Sequence, residues 1–165
     1  MYGVPVFKIW DQGSFERADL NNLFRFAISI QNKGNCLSVL RPDFQGRRLN
    51  LYFDDTVEGD GVVTPADIDA LERFAGAWVA TARSDPSLAP VVVHCGAGIS
   101  RSAATALMLL SLYFGTYTEA ARHLFRTHPH VVPNVLVVRL IFQKLGPAYG
   151  ADIFEALAQG KKDAS

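Results

Sequence analysis

The chain has 165 residues, 49% of them apolar, which suits one domain with a sizeable core. Its 16 basic and 16 acidic residues cancel, so no global charge draws it to nucleic acid or to an anionic membrane surface. Two cysteines, Cys36 and Cys95, are too few for a small disulfide-held secreted fold. The start, MYGVPVFKIWDQ, lacks the basic opening and long apolar stretch of a signal peptide. The most apolar helical run, 103–114, falls far short of the ~20 residues that span a bilayer. These features predict a soluble, cytoplasmic protein in a reducing compartment.

No repeat, low-complexity segment or linker divides the chain, so 1–165 reads as one domain. Its core covers about 4–146, with a C-terminal helix and tail at 147–165. Residues 4–10 mix β-branched and aromatic side chains and predict a first strand. Ser14 is expected to cap a helix running through Phe24 and Phe26. Residues 36–40 (CLSVL) predict a short buried strand, ended by the turn-like Arg41-Pro42-Asp43. Residues 49–53 (LNLYF) predict another strand, stopped by Asp54 and Asp55. Thr64, Pro65 and Asp67 form a helix start with a capping box. The helix carries Ile68, Leu71, Phe74, Ala75 and Trp78 at helical spacing. After a loop at 84–90, Val91, Val92 and Val93 form a short apolar strand, as expected of a buried parallel one. A helix from about Arg101 to Phe114 follows. Thr118 is expected to cap another helix, and Pro133 to open one more through Leu145. Alternating strands and helices predict an α/β fold: a central, mostly parallel sheet flanked by helices, with an anion-binding loop between a buried strand and a helix.

That loop lies in 91–102 (VVVHCGAGISRS), where a cysteine, five residues and an arginine join the apolar strand to the helix. A turn of this kind points backbone N–H groups into one concavity, and the helix N-terminus adds partial positive charge. Such a site suits a tetrahedral dianion. The N–H groups of Gly96, Ala97, Gly98, Ile99 and Ser100 would line it, with the two glycines allowing the tight curl. Arg101 offers a planar fork for two phosphate oxygens. The same donors favour a thiolate, the nucleophilic form of cysteine, at Cys95. His94 and Ser102 can orient the loop and the sulfur, and Ser102 can ease departure of the thiolate in a second step. The leaving oxygen needs a proton, and the loop contains no acid. Asp54 and Asp55 follow a strand end, where catalytic groups are commonly displayed, and either could supply it.

The uninterrupted His-Cys-x5-Arg-Ser pattern, His94 to Ser102, resembles the signature of the protein tyrosine phosphatase superfamily. Tyr52-Phe53-Asp54-Asp55 resembles the general-acid loop of small dual-specificity-type members, and Pro133-Asn134 before an apolar helix resembles a later segment of that group. The likeness spans roughly 36–145 and looks nearest to small bacterial members. It implies hydrolysis of phosphotyrosine on proteins through a phosphocysteine, with phosphoserine and phosphothreonine open. It implies no cofactor and no metal, and a phosphorylated protein or peptide as partner. It selects Asp55 as the acid, with Asp54 in support. The Trp-Pro-Asp loop of larger tyrosine-specific enzymes is missing, and the loop lacks the lysine of phosphoinositide-directed relatives. The interval of 40 residues between Asp55 and Cys95 is long for a small member and leaves Asp60 as a rival acid.

Three other functions fit parts of the pattern: a catalytically weak phosphate-binding module, a phosphatase for a non-protein ester, and sulfur transfer as in rhodanese-like domains. Cys36 is expected to be inert core, far from Cys95 and unable to pair with it. His123, His128 and His130 show no clear ligand spacing for a metal.

Overall fold

The computed structural model describes residues 3–165. Four strands, β1 (Phe7–Trp10), β2 (Phe26–Gln31), β3 (Arg47–Tyr52) and β4 (Val91–His94), pair in the order β1-β4-β2-β3, every pair parallel. The expected α/β class holds, and the sheet is parallel throughout. β4 is buried along its whole length because it has a neighbour on each side: Val93 lies opposite Ile9 and Ile28, and His94 opposite Trp10 and Ser29.

Side chains alternate between the faces of the sheet. Val91, Val93, Ile28 and Ile30 join the larger core, under α3 (Pro65–Ser84), α4 (Arg101–Phe114), α5 (Tyr117–Thr127), α6 (Val135–Leu145) and α7 (Ile153–Asp163). Val92 and Ala27 join a smaller one with Phe15, Leu20, Phe24 and Phe44, next to α1 (Gln12–Arg17) and α2 (Leu20–Leu23). Eleven consecutive residues of α4, Arg101 to Ser111, are buried. Beyond its first turn only Thr105 and Ser111 in that stretch are polar, as suits a central helix, and its alanines allow neighbours to approach. α3 starts with the expected capping box of Thr64 and Asp67. It buries Trp78, whose indole N–H donates to the Ala89 carbonyl at 2.9 Å.

Several expectations fail locally. No helix runs from Ser14 through Phe26: Asp11 caps α1, α2 ends at Leu23, and Phe26 begins β2. The alternation in FAISIQ suits a strand between β4 and β3 better than a helix. Residues 36–40 are not a buried strand. They form a loop after β2 in which Leu37 is 98% exposed, because β2 already fills the central place in the sheet. Cys36 is therefore exposed, not inert core; Cys36 and Cys95 are both free. The separation argued from a strand position for Cys36 falls with that strand. α5 is capped by Thr116, not Thr118, and α6 by Asn134, one residue after Pro133.

No helix among the described residues is long and apolar enough to cross a membrane. No group of three His, Cys, Asp or Glu among them gathers where it could hold a metal ion.

Candidate active site

All four strands run the same way, so their C-terminal ends share one edge, and each end supplies part of the site. β4 passes into Cys95 and the 96–100 loop, which feeds α4. The loop carbonyls bond outward: Gly96 O accepts from Gln12 N–H at 3.0 Å, Ile99 O from Val132 N–H at 2.9 Å, and Ser100 O from Asn134 N–H at 3.2 Å. None of the N–H groups of Gly96, Ala97, Gly98, Ile99 and Ser100 meets a protein acceptor among the described residues. Ser100 occupies the N-cap of α4 without a side-chain cap, so the first-turn amides of that helix add to the same set of donors. Gly98 has φ +68°, and a Cβ there would lie 2.7 Å from Trp10 C and 2.8 Å from Asp11 N. Only glycine fits where the loop crosses the end of β1.

Cys95 is 2% exposed, and its Sγ lies 3.1 Å from Ser102 Oγ. Arg101 is 94% buried, being 6% exposed. Its Nη1 donates to Asn32 Oδ1, after β2, and to the Phe53 carbonyl, after β3, both at 2.8 Å. The other edge of the guanidinium has no protein partner among the described residues: Nε is buried and unbonded, and Nη2 lies 3.4 Å from where a Gly96 Cβ would stand. That edge is the one suited to a bidentate grip on an oxyanion.

His94 lies beneath the loop, fully buried and stacked on Phe15 with centroids 3.9 Å apart. Its Nδ1 faces the Cys95 carbonyl at 3.3 Å, and its Nε2 meets Ser29 Oγ at 2.6 Å. A carbonyl only accepts, so Nδ1 carries the proton and Nε2 accepts from Ser29. Burial lowers its pKa to about 4, so the ring is neutral near pH 7.

The two aspartates diverge. Asp55 Oδ1 accepts from Ser100 Oγ at 2.7 Å and from Asn134 Nδ2 at 3.0 Å, which sets this carboxyl against the 95–101 loop. Asp54 turns away: its Oδ1 accepts from Lys33 N–H at 3.0 Å, and its own N–H donates to Gly61 O at 2.7 Å. Asp60 gives its carbonyl to Lys33 Nζ at 2.8 Å and makes no side-chain hydrogen bond among the described residues.

Sequence reasoning missed Asn32, Ser29 and the hydroxyl of Ser100, and it gave Asn134 no role. Asn32 and Ser29 carried no signal, because β2 itself was misread. Ser100 and Asn134 stand in quoted motifs, but their partners are 45 and 79 residues away in the chain.

No protein-family model and no curated protein matches the chain in sequence. Solved structures do match it. The Yvh1 phosphatase domain from Chaetomium thermophilum gives a TM-score of 0.63 at 19% identity, covering 88% of this chain and 95% of that one. The human tyrosine phosphatase-like serine/threonine/tyrosine-interacting protein gives 0.62 at 21% identity, covering 84% and 90%. PTPMT1 in complex with PI(5)P gives 0.54 at 17% identity, covering 97% and 95%. With four parallel strand ends around a Cys-x5-Arg loop, the chain has the fold of the protein tyrosine phosphatases.

Proposed function

We propose that the chain is a cysteine-dependent phosphomonoester hydrolase acting on phosphotyrosine in proteins. One observation carries this reading: among the described residues, the five N–H groups of the loop after Cys95 have no protein acceptor and the buried Nε of Arg101 is unbonded. The buried Nε of Arg101 is costly to leave unpaired, and a phosphoryl group would satisfy it and the loop N–H groups together.

In the first step the Cys95 thiolate attacks phosphorus. The Sγ–P bond forms as the P–O bond to the alcohol breaks, and Asp55 gives its proton to the departing oxygen. In the second step water attacks the phosphocysteine, Asp55 takes the water proton, and the Sγ–P bond breaks to release phosphate. Ser102 Oγ, 3.1 Å from Sγ, donates to the departing thiolate in this reading.

Two features favour a protein monoester over a multiply phosphorylated lipid. The loop has no lysine, and the neighbouring segment carries Asp54, Asp55, Glu58 and Asp60 with Lys33 bonded to it. A ligand with several phosphates would meet repulsion there.

The test is turnover of phosphotyrosine, phosphothreonine and phosphoinositide substrates with EDTA present, in wild type, Cys95→Ser and Arg101→Lys. Phosphotyrosine peptide should be hydrolysed fastest. Cys95→Ser should be inactive yet bind phosphate, and Arg101→Lys should lose on the order of 10²–10³-fold through loss of the fork. Wild-type binding without turnover would identify a phosphate-binding module, and preference for the lipid would move the substrate class. Activity on thiosulfate alone would indicate sulfur transfer.

A further inference from the structure

Asn134 is 7% exposed and joins three segments. Its backbone N–H donates to Ser100 O of the loop at 3.2 Å. Its side-chain Oδ1 accepts from Val137 N–H at 3.1 Å and so caps α6. Its Nδ2 donates to Asp55 Oδ1 at 3.0 Å and to Thr56 O at 3.3 Å. The amide orientation is fixed by chemistry, because the acceptor must face Val137 N–H and the donor must face a carboxylate and a carbonyl.

Asp55 lies on a largely exposed stretch, 54–61, whose internal ties run through Asp54, Thr56, Glu58 and Gly61. The side chain of Asp55 is held by Ser100 and Asn134, both bonded to the same oxygen, Oδ1. Oδ2 has no hydrogen-bond partner among the described residues, so it is the oxygen left to carry a proton.

We propose that Asn134 is a positioning residue for proton transfer. It couples the start of α6 to Asp55 and, with Ser100, holds Oδ1 so that Oδ2 presents the proton to the leaving oxygen. The proposal rests on the reading of Asp55 as the acid. Asn134 touches neither the phosphoryl group nor the leaving group. It acts by fixing a carboxyl on an otherwise exposed loop, and misplacing a reacting group by about 1 Å can cost on the order of 10²-fold.

The test compares Asn134→Ser, Ser100→Ala and Asp55→Asn on a series of aryl phosphates with leaving groups from poor to good. Serine keeps an acceptor that can cap α6 but does not reach Asp55 with a donor. Circular dichroism and melting temperature check the fold, and Ser100→Ala removes the other Oδ1 donor without touching that cap. We expect Asn134→Ser to lower kcat on poor leaving groups by roughly 10–10²-fold, with KM little changed. Good leaving groups should stay within about 2-fold, since they need little protonation. Ser100→Ala should repeat this dependence on the leaving group.

If Asp55→Asn shows the dependence and Asn134→Ser does not, the positioning role is overturned while the acid stands. A uniform loss across all leaving groups in Asn134→Ser, with lowered melting temperature, also overturns it in favour of a helix cap alone. If Asp55→Asn shows no dependence, the acid reading fails and the positioning role fails with it.

Discussion

Cys95 Sγ and Ser102 Oγ lie 3.1 Å apart, the sulfur at the end of β4 and the hydroxyl in the first turn of α4. Both groups are buried, so the hydroxyl has few competitors as a partner for a charged sulfur. A hydrogen bond to a charged group contributes about 1.5–3 kcal/mol, roughly 10–10²-fold in rate. In the first step the sulfur spends its charge, and in the second it regains it. Ser102→Ala should therefore slow breakdown of the phosphocysteine more than its formation. Rapid-quench kinetics with an aryl phosphate should show a burst of alcohol release that is larger than in wild type. A variant that is slow in both steps, with no burst, would mean that Ser102 only orients the nucleophile.

Gly98 and Gly115 share a positive φ, +68° and +80°, in different surroundings. A Cβ on Gly115 meets nothing within 4 Å, while one on Gly98 would run into the backbone of Trp10 and Asp11. Gly115→Ala should bear only the left-handed conformational cost, about 1–2 kcal/mol, and a Tm loss of roughly 2–8 °C at about 2–4 °C per kcal/mol. Gly98→Ala adds a clash that must push the loop off the end of β1. It should lower Tm further and reduce turnover by at least roughly 10²-fold, because the loop donors move together. Equal effects of the two alanines on turnover would show that the crossing at Trp10 does not set the loop.

His94 makes stability depend on pH. Its folded pKa, about 4, lies below the ordinary value of 6.5 because burial disfavours the imidazolium. Between those values the unfolded chain takes up a proton at this ring and the folded chain does not. This contribution is fully present above pH 6.5 and is lost as pH falls toward 4, by about 3 kcal/mol in all. Urea unfolding between pH 7 and 4 should show this loss, with about one proton taken up at His94 on unfolding near pH 5. His94→Gln should be less stable at pH 7, because Ser29 and the Cys95 carbonyl are left with an imperfect partner. It should also lose about half of the pH slope, the rest staying with His128, whose pKa burial also lowers to about 4. An unchanged slope would assign the whole dependence to His128.

What the sequence made legible follows the range of its signals. The capping box at Thr64, the valine strand and the Cys-x5-Arg loop are local, so β4, α3, α4 and the placing of Cys95 beside Ser102 could be read directly. β2 could not: FAISIQ follows the helical turns at 12–23, and Phe24 and Phe26 mimic a continuing apolar stripe. CLSVL has strand composition, but only the sheet decides which apolar run takes the central place. Asn32 is the clearest loss. It fixes Nη1 of an arginine 69 residues away, a contact that no local pattern announces.

The acidic pair gives the last prediction. On an extended stretch, adjacent side chains point to opposite sides. Asp55 meets Ser100 and Asn134, whereas Asp54 Oδ2 packs against Gly61 and its Oδ1 accepts from Lys33 N–H. Asp55→Asn should cut turnover by roughly 10²–10⁴-fold for an alkyl or poor aryl phosphate, and far less for a leaving group that departs readily as an anion. Asp54→Asn keeps an acceptor for Lys33 N–H, so it should cost about 1 kcal/mol of stability or less. Any loss of turnover in that variant should be the same for every leaving group, since it would arise from loop placement. Asp60, tied through its carbonyl to Lys33, should tolerate Asn with turnover within about 2-fold of wild type, as surface changes away from a site usually do. Steady-state kinetics of the three asparagine variants on one good and one poor leaving group separates these outcomes. If the dependence on the leaving group follows Asp54→Asn, the loop must turn over when substrate binds. The contacts of Asp55 with Ser100 and Asn134 would then belong to a resting arrangement.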